Sequence, residues 1–179
     1  GVELYQQMLE DAVKALRSGE ALDGHEVADD WSPQIDIGAA VLIPEGYVED
    51  LSTRLSLYRR LADLESDEER EAFAAELIDR FGPLPPPATN LLRVARLKLA
   101  ARAIGIRRLD LGPQGGYALF EEQNQVDPRA VIRLVQHPQG NNKGDYRLDG
   151  ALKLRISRET EDDAERFEFA EKFLAALRA

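Results

Sequence analysis

The chain has no cysteine, and its 179 residues include only two histidines, one methionine and one tryptophan. Without cysteine neither a disulfide framework nor a thiolate metal site can form, which suits a reducing cytoplasm. The two histidines, His25 in an acidic stretch and His137 ahead of a proline, lack metal-ligand spacing and have no evident nucleophile partner. No apolar run approaches the roughly 20 residues that a bilayer span needs, and no charged-apolar-small leader opens the chain. The expectation is a soluble, cytoplasmic protein with no membrane partner. A Gly-x-x-x-x-Gly-Lys-Ser/Thr phosphate cradle is also missing. Gly140-Asn141-Asn142-Lys143-Gly144 has neither the spacing nor the following hydroxyl, and reads as a flexible turn. With no nucleophile, metal cluster or phosphate loop, the chain is read as not being an enzyme and as holding no catalytic, cofactor-binding or metal residues.

Positive charge is scarce too. Against 33 Asp and Glu stand 23 Lys and Arg, for a net charge of -10. Nucleic-acid backbones are gripped by clustered Lys and Arg, so direct DNA binding is not expected. Residues 1 to 50 hold twelve acids against only Lys14 and Arg17, whereas Arg93, Arg96, Lys98, Arg102, Arg107 and Arg108 fall in one short stretch. Such asymmetry bears on association more than on fold, and an acidic surface favours a basic protein partner. With its apolar share, a chain of this length has enough material for a core of its own.

Periodicity outlines the elements. Leu4, Tyr5, Met8, Leu9, Ala12, Val13 and Leu16 recur at helical spacing, so residues 1–19 are read as a leading helix that continues from a preceding module, stopped by Gly19. Residues 20–32 form an acidic loop or linker, with Trp31 at its far end. Within the remaining domain, 33–179, alternation of Ile35, Ile37, Ala39 and Val41 predicts a strand over Gln34 to Ile43, closing at Pro44. A long helix follows from Tyr47, with Leu51, Leu55, Tyr58, Leu61 and Leu64 inward and Arg54, Arg59 and Arg60 on other faces. Ser66 and Glu69 form a capping-box signature for a helix carrying Phe73, Leu77, Ile78 and Phe81 inward and ending at Gly82 and Pro83. Pro85, Pro86 and Pro87 lead into a helix to about Ile104, with Leu92, Ala95, Leu99 and Ala103 toward the core and Gly105 as its stop. Strands are expected at Ile106 to Leu111, Tyr117 to Glu121 and Leu152 to Ile156, the first two joined as a hairpin by Gly-Pro-Gln-Gly-Gly. Asp127-Pro128 opens a short helix through Val131, Ile132, Leu134 and Val135. Thr160 is expected to cap a last helix with the stripe Phe167, Ala170, Phe173, Leu174 and Leu177. The fold class this predicts is α+β, several amphipathic helices packed on a small, mainly antiparallel sheet.

Two surfaces are candidates for function. Glu76 and Asp79 stand three residues apart on one helical flank, where they can meet a basic partner; Glu76 can equally pair with Arg80 one turn on. The basic stretch at 93–108 is the other. Arg93 and Arg96 could contact a second protein surface or a nucleic acid, or be solvated polar positions of a helix, and no stacking aromatics are interleaved there.

A resemblance bears on the choice. Gly1-Val2-Glu3-Leu4-Tyr5 with Met8-Leu9, Leu42 to Val48, Arg54 to Leu61, Glu76 to Gly82, Ile104 to Arg107 and Tyr146 to Gly150 together resemble the C-terminal domain of the bacterial transcription-repair coupling factor family. These blocks are spread from residue 1 to about 150; the acidic loop at 20–32 and the insertion from Gly140 to Asp145 depart from the pattern.

The resemblance implies a regulatory, autoinhibitory domain of a large DNA-repair protein whose other modules bind ATP and Mg, translocate on DNA, displace stalled RNA polymerase and recruit the excision-repair protein UvrA. It implies packing on the N-terminal UvrB-like module of the same protein, so that the UvrA-binding surface is masked and the translocase is restrained. The interface then falls on Glu76, Asp79 and Arg80, with Arg93 and Arg96 as a possible secondary contact surface. The competing reading is a free-standing module that binds protein or nucleic acid through the 93–108 stretch.

Overall fold

The computed structural model describes residues 32–136 and 145–178. The leading helix at 1–19, the acidic loop up to Trp31, both histidines and the turn at 140–144 lie outside the described residues. Ten elements run in the order β1 (Gln34–Asp36), α1 (Leu51–Ala62), α2 (Asp67–Phe81), α3 (Pro86–Ile104), β2 (Ile106–Gly112), β3 (Gly115–Phe120), α4 (Pro128–Gln136), β4 (Tyr146–Leu148), β5 (Lys153–Ser157) and α5 (Asp163–Ala176). The chain divides into two compact units, one holding Ala39–Leu99 and the other Ser32–Gly38 with Ala100–Ala179, so the boundary falls inside α3.

The second unit carries the sheet, in the order β1-β2-β3-β5-β4. Only the β1–β2 pair is parallel, with Ile35 opposite Leu109; the other three pairs are antiparallel. This is the expected α+β class. The β2–β3 hairpin pairs Gly112 with Gly115 across Pro113 and Gln114. Two glycines are obligatory there. A Cβ on Gly116 would lie 1.8 Å from the Asp110 carbonyl oxygen, and one on Gly115 would lie 2.1 Å from that of Ile156. Asp127 caps α4, its Oδ1 accepting from the Arg129 amide at 3.0 Å. Phe167, Ala170, Phe173 and Leu174 of α5 and its C-cap Leu177 are all buried, and the Tyr146 ring of edge strand β4 stacks on Phe173 at 6.0 Å.

Several expectations need correction here. The cap of α5 is Asp162, which accepts from the Glu165 amide at 2.8 Å. Thr160 is instead buried, accepting from Arg166 Nε at 3.0 Å, while Arg166 Nη1 donates to the Ile37 carbonyl at 2.8 Å. On α4, Ile132 is exposed and Val131, Leu134 and Val135 are half-buried; Ala130 is the buried residue. Strand β4 was not foreseen, being three residues long and following the insertion.

The predicted strand over Gln34 to Ile43 is cut short at Asp36, before the chain enters the first unit at Ala39. Gly38 adopts φ 75°, and its amide donates to Asp36 Oδ1, which turns the chain out of the ladder. Ala39, Val41 and Ile43 keep the alternating burial, but their segment is tied by other groups. The Leu42 amide donates to the Pro87 carbonyl at 3.3 Å, Asn90 Nδ2 to Ala40 O at 3.2 Å, and the Ile43 amide to the Tyr58 hydroxyl at 2.6 Å.

Helix α1 begins at Leu51 rather than Tyr47, because a turn on Pro44 O precedes it and Asp50 caps it through the Thr53 amide at 2.9 Å. Arg54 is buried, not outward: its Nη1 donates to Val48 O at 2.6 Å and Glu49 O at 3.0 Å, satisfying the carbonyls just ahead of the helix. The buried positions of α3 are Ala88, Leu91, Leu92, Val94, Leu97, Ala101 and Ile104. Of the four residues expected inward only Leu92 is buried. Ala95 and Leu99 are half-buried and Ala103 is exposed, since the inward stripe runs through Ala88, Leu91, Leu92, Leu97, Ala101 and Ile104 instead.

A charged ridge on α2

Helix α2 starts as its capping box predicts. Ser66 Oγ accepts from the Glu69 amide at 3.2 Å; the Glu69 carboxylate reaches back to the Glu65 amide at 2.7 Å, one residue beyond the usual target. The helix ends at Gly82, φ 93°, whose amide donates to Ile78 O at 2.9 Å. Phe73 and Leu77 set its inward direction. At about 100° per residue, Ala75 lies directly opposite, on the crest, with Asp79 and Ala72 to one side of it and Ile78 about 60° to the other; Glu76 falls on the flank, and Arg80, in the last turn, falls back toward the inward side. Ala72, Ala75 and Asp79 are exposed accordingly, and Arg80 is exposed in the last turn of the helix. Ile78, expected inward, is 49% exposed, and Phe81 is half-buried.

The two acids of the flank differ in their surroundings. Glu76 is held by Arg60 of α1, Nη1 to Oε2 at 2.5 Å and Nη2 to Oε1 at 2.9 Å, and by Arg80 Nη1 at 3.1 Å. The Arg60 hydrogen bond, then that of Arg80 and the charges of both guanidiniums, hold its carboxyl down to about 2. Arg60 also lies over the Phe73 ring at 5.2 Å, and Arg80 over Phe81 at 4.8 Å. Asp79, three residues on, has no ion pair or side-chain hydrogen bond among the described residues.

Tyr47 holds the end of the ridge. Its hydroxyl proton is shared between Leu77 O at 3.0 Å and Gly82 O at 2.7 Å, and its ring meets Phe81 at 5.8 Å. The Glu76–Arg80 pair was legible from its spacing. Arg60, sixteen residues upstream, and Tyr47 carried no such signal, because only the tertiary fold brings them to α2.

The basic stretch is less uniform. Arg93 is half-buried, and Arg96 reaches Asp67 at 3.9 Å. Lys98 keeps part of its surface in solvent, but its ammonium is desolvated and its pKa falls to about 8. In the sheet unit, Arg107 faces Glu121 at 3.8 Å and Arg108 faces Asp110 at 3.2 Å. Among the described residues no group of three His, Cys, Asp or Glu could hold a metal ion, and no helix is long and apolar enough to cross a membrane.

A mixed five-stranded sheet with five helices among the described residues places the chain in the class of α+β modules, and the Arg60–Glu76–Arg80 triad gives it an ion-paired helical ridge. Comparison with known proteins narrows the class. Residues 37–131 match the TRCF domain. The chain is 36% identical over 178 residues to the transcription-repair-coupling factor of Escherichia coli K12, covering 99% of this chain and 15% of that protein. It is 35% identical over 179 residues to that of Haemophilus influenzae, and 42% identical over 143 residues to that of Rickettsia bellii, which covers 80% of this chain. The chain belongs to the TRCF domain family of transcription-repair coupling factors, and spans about 15% of the length of the first of these relatives. A crystal structure of the C-terminal domain of transcription-repair coupling factor has the same fold, with TM-score 0.69 at 19% identity, over 82% of this chain and 91% of that one.

Proposed function

We propose that this chain is the regulatory C-terminal domain of a transcription-repair coupling factor. It packs on the N-terminal UvrB-like module of the same protein, masks the surface that receives UvrA, and restrains the ATP-dependent translocase until stalled RNA polymerase is engaged. The observation that carries this reading is Asp79, an exposed carboxylate on the crest of a braced helix, with no ion pair among the described residues. A contact that must open again has to be of limited worth. Charged contacts at the rim of an interface supply specificity and registration without permanent affinity. A shift between closed and open states needs only about 1–3 kcal/mol of differential contact to change the populations severalfold.

The test is Glu76→Ala with Asp79→Ala in the full-length protein, read as affinity for UvrA. The reading requires tighter UvrA binding by the double variant. Unchanged affinity overturns it.

A further inference from the structure

The two carboxylates of the ridge stand in different surroundings, and a large apolar side chain lies exposed near them. Glu76 already accepts hydrogen bonds from Arg60 and Arg80. Handing it to a partner's cation would strip two guanidiniums of their acceptor, so its place in the triad is the stable one. Asp79 is the carboxylate left to meet an outside cation. The two arginines and two carboxylates cancel, so this end of α2 is not an acidic patch and cannot rely on long-range attraction. What remains conspicuous is Ile78, 49% exposed beside Asp79, on a helix whose other large apolar residues turn inward or to the half-buried flank.

Its setting is built for close approach. The exposed alanines Ala72 and Ala75 leave the crest low, so a partner can come near the helix axis. Tyr47 fixes the carbonyls of Leu77 and Gly82 on either side of Ile78 in sequence, so little further ordering is needed on binding. Buried apolar anchors at the centre of an interface carry more of its energy than charges at the rim.

We propose that Ile78 is the apolar anchor of the α2 contact, seated in an apolar pocket of the UvrB-like module next to a guanidinium or ammonium that takes Asp79, while Glu76 only positions the ridge. This rests on the reading above and names the partner surface: apolar at its centre, with a single cation beside it. The closed state is then only weakly sensitive to salt.

The experiment compares full-length protein carrying Ile78→Ser, Ala75→Arg, Asp79→Ala or Glu76→Gln, with UvrA affinity and hydrogen exchange of α2 as readouts. Ala75, Ile78 and Asp79 are exposed and Glu76 is on the flank, and the melting of the isolated 179-residue variants checks their folding. Ile78→Ser and Ala75→Arg are each expected to tighten UvrA binding about tenfold, as much as Asp79→Ala or more, and Glu76→Gln clearly less. The α2 amides of the full-length protein are expected to exchange more slowly than those of the isolated chain, with protection lost in Ile78→Ser. If Asp79→Ala tightens UvrA binding while Ile78→Ser and Ala75→Arg do not, the anchor is wrong and the regulatory reading stands. If α2 is protected through Ile78 but no variant changes UvrA affinity, the anchor stands and the masking of UvrA is wrong. If neither readout moves, both are wrong.

Discussion

Arg60 grips Glu76 with both terminal nitrogens of its guanidinium, joining two helices at positions sixteen residues apart. The pair is bidentate, a geometry that a lysine at position 60 could not reproduce. It converts the shoulder of α2 from a loose carboxylate into a fixed part of the surface.

Acid should weaken this lock in a defined window. The Glu76 carboxyl is held at about 2, below its ordinary 4.5, so the unfolded chain takes up its proton first as pH falls. The contribution of the triad is therefore complete above about pH 4.5 and is lost on the way down to 2. Denaturant titrations of wild type and Glu76→Gln should differ at pH 7 and converge as the pH approaches 2.

Lys98 should act in the opposite range. Burial lowers its pKa from 10.5 to about 8, so between these values the native chain releases a proton that the unfolded chain keeps. Stability should rise with pH through that window. Lys98→Met should stabilise the chain at pH 7 by about 1–3 kcal/mol and flatten the alkaline rise, as read by urea unfolding at pH 7 and pH 10.

Removing one oxygen should loosen the end of α2. Tyr47→Phe leaves Leu77 O and Gly82 O without the shared hydroxyl and should cost about 1–2 kcal/mol. Hydrogen exchange should quicken in the last turn of α2 more than in its first, which Ser66 caps independently.

The hairpin has a stricter requirement. Gly116→Ala would place a methyl 1.8 Å from the Asp110 carbonyl oxygen, a main-chain atom that no rotamer change can move aside. A loss of about 3 kcal/mol or more is expected, visible as a lowered melting temperature by circular dichroism. Gly82→Ala, where nothing lies within 4 Å, should cost only the strain of φ 93°.

Local signals carried much of the fold. Ser66 and Glu69, Asp127-Pro128, the glycine stops at Gly82 and Gly105, and the aromatic stripe of α5 each depend on neighbours within a turn or two, so spacing alone placed them. The failures have a common cause in distant partners. Arg54 reads as a surface residue by its charge, yet two carbonyls upstream of its helix make a buried position tolerable. Thr160 reads as a cap, but Arg166 claims its hydroxyl and Asp162 takes over the role. Alternation through Ile43 is genuine, but it arises from packing and side-chain hydrogen bonds rather than from a ladder. At the candidate site the i, i+4 pairing of Glu76 with Arg80 was visible, and the exposure of Ile78 was not, because hydrophobicity predicts burial and is silent about surfaces kept open.

Both margins of the sheet, β1 and β4, are strands of only three residues. An extended chain arriving at either margin finds too few free amides and carbonyls to zip onto. A second copy of the domain meets the same obstacle. At high concentration the module should therefore remain a monomer instead of seeding fibrils, because neither margin offers a ladder long enough to extend.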